Sequence, residues 1–174
     1  VGSEMCIRDS PQTALSAIDS LKDLKKCKYI TVHANGGLDM LKAVKKHAKK
    51  INKNLKVLGV TILTSLNNKS LKEIGHTKNV QQLVLKQAEL IKKSGCDGIV
   101  CSPQESKMIR KKFKNFLIIT PGIRLPGDNL NDQARVMTPK DAFKNKVSGV
   151  VMGRSLTKGN IKLNVKKLID HLSQ

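Results

Sequence analysis

At 174 residues the chain can bury the core of one domain, and its 39% hydrophobic and 26% charged residues exclude a disordered or fibrous polypeptide. No apolar run reaches the ~18 residues of a membrane span and no secretory signal is visible, so a cytoplasmic protein without a membrane partner is expected. The net charge of +20 raises nucleic-acid binding as a function, but three Phe, one Tyr and no Trp leave little on which bases could stack.

Val1–Ser10 has neither a helical nor a strand period and begins without Met. It is expected to be a leader of separate origin, residues 1–10, ahead of a domain over residues 11–174. Thr13–Lys26 places Leu15, Ile18, Leu21 and Leu24 at helical intervals, and Lys28–Ala34 is a short apolar run of strand type. Leu38–Lys50 puts Leu41, Val44 and Ala48 on one helical face, and a strand is expected next at Lys56–Leu63. Val80–Ser94 gathers Leu83, Val84, Ala88 and Ile91, with Gly95 suited to the cap. The next strand is Gly98–Ser102. Pro103–Phe113 and Pro139–Lys144 each open on a proline, which the first helical turn tolerates. Strands are expected at Phe116–Thr120 and Gly149–Met152, and a helix at Ile161–Leu172 closes the chain.

These strands are apolar throughout instead of alternating, as in a parallel sheet covered on both faces. One helix and then five strand–helix units make a repeated βα architecture. It fits a doubly wound sheet or part of a (β/α)8 barrel, and chain order does not separate the two.

The lysines form no binding stripe. Lys42, Lys45, Lys46, Lys49 and Lys50 cover several sides of one helix, and Lys107, Lys111, Lys112 and Lys114 make a second, scattered group. No nucleic-acid partner is therefore expected, and a basic nucleic-acid-binding protein stands as the alternative from a different class. Cys6, Cys27, Cys96 and Cys101 contain no Cys-x-x-Cys pair, so they are expected to be reduced structural thiols and not metal ligands.

In a parallel βα fold, ligands bind beyond the carboxyl ends of the strands. Five such ends are legible: His33-Ala34-Asn35-Gly36-Gly37, Leu63-Thr64-Ser65, Cys101-Ser102-Pro103, Thr120-Pro121-Gly122-Ile123-Arg124 and Met152-Gly153-Arg154-Ser155. Gly153 lets a ligand approach the backbone, and the Arg154 guanidinium is a planar fork of donors that matches a phosphate. Leu125–Gln133, polar and marked by Pro126 and Gly127, reads as a loop able to close over a ligand. His33 reads as a structural histidine, because nothing in the sequence places catalytic partners beside it.

Taken together these segments resemble the orotidine 5′-phosphate decarboxylase family. The resemblance rests on five features in order: Val32-His33-Ala34-Asn35-Gly36-Gly37; Val60-Thr61-Ile62-Leu63-Thr64-Ser65; the Thr-Pro-Gly-Ile-Arg run; Asp132-Gln133 with Met137-Thr138-Pro139; and Met152-Gly153-Arg154. It covers about residues 11–172 and implies a TIM (β/α)8 barrel of the ribulose-phosphate-binding type, of which about the last five βα units are present. It implies a homodimer that converts orotidine 5′-phosphate to UMP and CO2 in pyrimidine biosynthesis, with no metal or organic cofactor. By the same resemblance Gly153 and Arg154 bind the phosphate, Gln133 reaches phosphate and base, Arg124 is a further substrate ligand and Thr64 contacts the pyrimidine edge. Another phosphate-binding barrel enzyme, a sugar-phosphate decarboxylase or synthase, is the nearer alternative.

The match departs at the amino end. The family carries Asp-x-Lys-x-x-Asp and then Ile-Pro-Asn-Thr. Here Asp9 takes the final aspartate position, and Pro11 and Thr13 match the proline and threonine of the second element. Cys6 stands where the catalytic lysine belongs and Glu4 where the first aspartate belongs. The resemblance gives Asp9 a catalytic place, lets Asp9 and Thr13 reach into the partner subunit's site, and counts Pro11 and Thr13 among substrate-binding positions. The chain is thus expected to be an amino-terminally truncated decarboxylase, inactive as written, whose open sheet edges favour self-association.

Overall fold

The computed structural model describes residues 10–20, 27–128 and 135–173. These fall into two compact units, Val1–Thr61 with Val84–Val100, and Ile62–Leu83 with Cys101–Gln174.

The first unit contains α1 (Pro11–Asp19), β1 (Tyr29–His33), α2 (Gly37–Ile51), β2 (Lys56–Val60), most of α4 (Val80–Lys93) and β3 (Gly98–Val100). Its strands are parallel: Tyr29 to His33 pair with Lys56 to Val60, and Leu58 to Val60 pair with Gly98 to Val100. The helices turn apolar stripes onto them. Met40, Leu41, Val44 and Ala48 of α2 are buried, as are Val84, Ala88 and Ile91 of α4, the spacing that one helical face requires. At Gly59 sheet and helix approach closely, since a Cβ there would collide with the Ile91 side chain. Asp97, just ahead of β3, accepts from the Val57 amide at 2.8 Å and from Lys45 Nζ at 2.5 Å, fastening α2 and β3 to β2. His47 meets Asp19 at 2.9 Å between α2 and α1.

The second unit contains α3 (Asn68–Glu73), α5 (Pro103–Lys112), β4 (Leu117–Thr120), α6 (Pro139–Lys144), β5 (Gly149–Val150), α7 (Arg154–Thr157) and α8 (Ile161–Ser173). β4 and β5 are parallel, with Ile119 opposite Gly149 and Thr120 opposite Val150. Side-chain caps start three helices: Asn67 accepts from the Lys69 and Ser70 amides, Ser102 from that of Gln104, and Thr138 from that of Asp141. Prolines 103 and 139 occupy the first helical turn as expected. Ile109, Phe116, Ile118, Ile123, Ala142 and Val147 are among its buried apolar side chains.

The βα order is the expected one, but the strands are shorter than the apolar runs. Thr61, Ile62, Cys101 and Ser102 are buried beyond the strand ends. The backbone pairing itself runs one residue further, with the Thr61 amide donating to Val100 O at 3.0 Å and the Cys101 amide to Ile119 O at 3.3 Å, before the chain turns into its loops; Ser102 has already become the cap of α5. The first helix starts at Pro11 instead of Thr13, and residues 21–26 of the expected span lie outside the described residues. The short helices α3 and α7 are too brief to show a period.

Candidate functional site

The carboxyl ends of β4 and β5 lie side by side. Their pairing continues past the strands, where the Val151 amide donates to Thr120 O at 2.8 Å. Thr120-Pro121-Gly122-Ile123-Arg124 and Met152-Gly153-Arg154 therefore leave from adjacent points of one sheet. Gly122 takes φ +75°, a conformation that favours glycine, and the turn brings Ile123 into a parallel bridge with Met137. Arg124 N donates to Met137 O at 3.1 Å and Met137 N to Gly122 O at 3.2 Å, so both ends of the intervening loop are tied together. Leu125–Asp128 closes its own turn, with Asp128 Oδ2 accepting from the Leu125 amide at 2.9 Å.

Arg124 is buried, and its Nη1 donates to Ile123 O at 2.9 Å. Its Nε and the hydroxyl of buried Thr120 have no hydrogen-bond partner among the described residues. Buried polar atoms usually have one, and these two lie at the end of β4 and in the turn that follows it. Gly153 and Arg154 are exposed, and a Cβ on Gly153 would meet nothing within 4 Å, which leaves the backbone there open to approach. Arg154 opens α7. Thr64 is buried four residues beyond β2.

A residue that sequence reasoning passed over organises this region. Arg135 is buried and donates to Glu105 Oε1 at 2.5 Å, to Leu63 O at 2.8 Å and to Ile62 O at 3.3 Å. One guanidinium thus joins the loop between β4 and α6, the first turn of α5 and the segment that leads to Thr64. Burial pushes the Glu105 carboxyl above its ordinary range, and the Arg135 charge offsets that only in part. Neither residue announced itself in the sequence. Arg135 is one of 33 basic residues, and an acid in a first helical turn ordinarily reads as a solvated complement to the helix dipole.

The remaining expected positions divide. Pro11 is exposed at the start of α1, and Thr13 Oγ1 lies 2.7 Å from Ser10 Oγ, both in the first unit. Asp9, Cys6 and Glu4, together with Gln133 and Asp132, lie outside the described residues. His33 ends β1, and beyond it Asn35 Oδ1 accepts from Gln87 Nε2 at 2.7 Å. Burial pushes the thiols of Cys96 and Cys101 up, Cys101 most strongly and with Glu105 adding to the effect, so both are unreactive thiols. Among the described residues no group of three or more His, Cys, Asp or Glu side chains could hold a metal ion, and no helix is long and apolar enough to cross a membrane.

Comparison with known proteins gives this geometry a context. Residues 7–166 match the family model described as Orotidine 5'-phosphate decarboxylase / HUMPS family. The orotidine 5'-phosphate decarboxylase of Coxiella burnetii (strain RSA 331 / Henzerling II) is 39% identical over 165 residues, covering 93% of this chain and 70% of the relative. That of Wigglesworthia glossinidia brevipalpis is 38% identical over 172 residues, covering 98% and 74%. The crystal structure of orotidine 5'-phosphate decarboxylase from Lactobacillus acidophilus superposes with a TM-score of 0.77 at 31% identity, covering 97% of this chain and 73% of that one.

Proposed function

Since the chain belongs to the orotidine 5′-phosphate decarboxylase / HUMPS family and has its TIM-barrel βα architecture, we propose that the loops beyond β4 and β5 hold orotidine 5′-phosphate or UMP by the phosphate, and that the polypeptide as written does not decarboxylate it. The observation that carries this reading is the adjacency of the Thr-Pro-Gly-Ile-Arg run and Met152-Gly153-Arg154 at paired strand ends. Arg154 supplies charge-assisted donors and Gly153 an unobstructed backbone, the pair of features a phosphate monoester needs. Arg124 and Thr120 offer buried polar atoms beside them. Thr64 and Gln133 discriminate the pyrimidine in this reading, and Pro11 and Thr13 serve a site completed by a second subunit of a cytoplasmic homodimer.

The chemistry asks for more than binding. Phosphate binding energy can be spent on organising the reacting end of the substrate, but loss of CO2 leaves a carbanion at C6 of the ring. A positioned ammonium stabilises that charge and returns a proton. Cys6 stands at the corresponding position here, and a thiol or thiolate has the wrong charge for the task. A spectrophotometric assay of orotidine 5′-phosphate consumption is expected to show no turnover by the purified chain. Turnover would overturn the proposal. Restoring the family pattern with Cys6→Lys and Glu4→Asp is the companion experiment, and a gain of turnover would assign the deficit to these two positions.

A further inference from the structure

The second unit carries a cavity of about 970 Å³ whose charged lining is wholly basic: Lys107, Arg110, Lys111, Lys114, Lys144 and Lys146. The scattered lysines of the sequence are gathered here. Lys107 and Lys111 have the i, i+4 spacing of one face of α5, Lys114 follows just beyond its end, and Lys144 and Lys146 stand opposite, at the end of α6 and in the turn after it. Asp141 takes up Lys144 at 3.3 Å, whereas Lys107, Lys111, Lys114 and Lys146 form no ion pair among the described residues.

The walls are fixed. Arg110 donates to the carbonyls of Lys114 at 2.6 Å, Phe116 at 2.8 Å and Lys146 at 3.0 Å, and to Ser148 Oγ at 3.2 Å, which staples the two rims together. Lys146 is held at φ +59° and is the one non-glycine residue with positive φ among those described. That conformation strains a lysine, and glycine would adopt it freely. A charged residue therefore lines the cavity at a strained position.

The cavity lies at the amino ends of β4 and β5, since Lys114 precedes Leu117 and Lys146 precedes Gly149. The loops assigned above to the phosphate monoester leave the carboxyl ends. The lining holds no aromatic side chain for a base to stack on, and its size is that of a small-molecule pocket, about 300–1,000 Å³. Cationic side chains around one cavity repel one another, and a ligand with linked negative charges relieves that repulsion. We propose that this cavity binds a compact ligand carrying a chain of linked phosphates, either inorganic polyphosphate or the phosphate tail of a nucleotide.

Calorimetric titration of the full chain with inorganic tripolyphosphate, at about 0.15 M salt so that loose surface attraction is screened, tests this. One tripolyphosphate per chain is expected, bound at least tenfold more tightly than inorganic phosphate and undisturbed by UMP. Lys146→Gly relieves strain as it removes a charge, so it should weaken binding at least fivefold with an unchanged or raised melting temperature. Lys111→Met on the exposed helical face should weaken it similarly. ATP matching tripolyphosphate would assign the phosphate chain alone as the ligand, and tighter ATP binding a nucleotide; both support the proposal. Wild-type affinity in both variants, displacement by UMP, or preference for duplex DNA over tripolyphosphate would overturn it.

Discussion

Replacing Arg135, in the loop between β4 and α6, by Met is expected to be strongly destabilising. The guanidinium is buried and serves three acceptors, the Glu105 carboxylate and the carbonyls of Leu63 and Ile62. Removing one member of a buried ion pair costs about 3–5 kcal/mol, because the other charge stays behind without compensation. At about 2–4 °C per kcal/mol for a chain of this size, the melting temperature should fall by about 6–20 °C at pH 7. The loss should also depend on pH. Burial already raises the Glu105 pKa in the folded state, and without Arg135 only backbone hydrogen bonds at the start of α5 oppose it. A raised carboxyl pKa penalises the folded state only once the unfolded carboxyl ionises, so the penalty should shrink as pH falls toward the ordinary glutamate value of 4.5 and grow as pH rises toward the raised folded value. The double variant Glu105→Met/Arg135→Met, which leaves no stranded charge, should recover much of the stability. Urea unfolding of the wild type, both single variants and the double variant at pH 5 and pH 7 measures all of this. A loss below about 1 kcal/mol, or one independent of pH, would refute the reasoning, since that is the range of an exposed pair.

Other consequences rest on single contacts. Gly59→Ala places a Cβ against the Ile91 side chain, and overpacking of that kind should lower stability by about 1–3 kcal/mol in urea unfolding. Iodoacetamide at pH 8 should label Cys27, which is partly exposed, while Cys96 and Cys101 react only after denaturation, as peptide mass spectrometry would show; rapid native labelling of Cys101 would contradict its burial. α8 exposes Ile161, Leu163, Val165, Ile169 and Leu172, more apolar surface than one helix of a soluble monomer usually shows. Size-exclusion chromatography should therefore find self-association, and a clean monomer with cooperative unfolding would count against it.

The sequence disclosed the βα order and the strand-end motifs because both are local. Val- and Ile-rich runs bounded by Gly, Pro or Asn identify strands, and a Gly-Arg pair after a strand carries its meaning within two residues. Boundaries were less legible, since Ile62 and Ser102 are as buried as the strands they follow. Long-range electrostatics were not legible at all. Glu105 and Arg135 are 30 positions apart, and Lys107 and Lys146 share a cavity only because α5 and α6 flank neighbouring strands. In a chain with 33 basic residues, position in the fold, and not residue type, separates a clamp from a solvated surface.

The central claim, that the loops beyond β4 and β5 form a nucleotide-monophosphate site, is tested most directly by calorimetric titration of the chain with UMP and with ribulose 5-phosphate, in the wild type and in Arg154→Ala. UMP is expected to bind, and ribulose 5-phosphate to bind at least tenfold more weakly. The arginine variant should lose about 1.5–3 kcal/mol of UMP binding, the range for hydrogen bonds to a charged group. Equal or tighter binding of ribulose 5-phosphate, or UMP affinity untouched by the loss of Arg154, would contradict the claim.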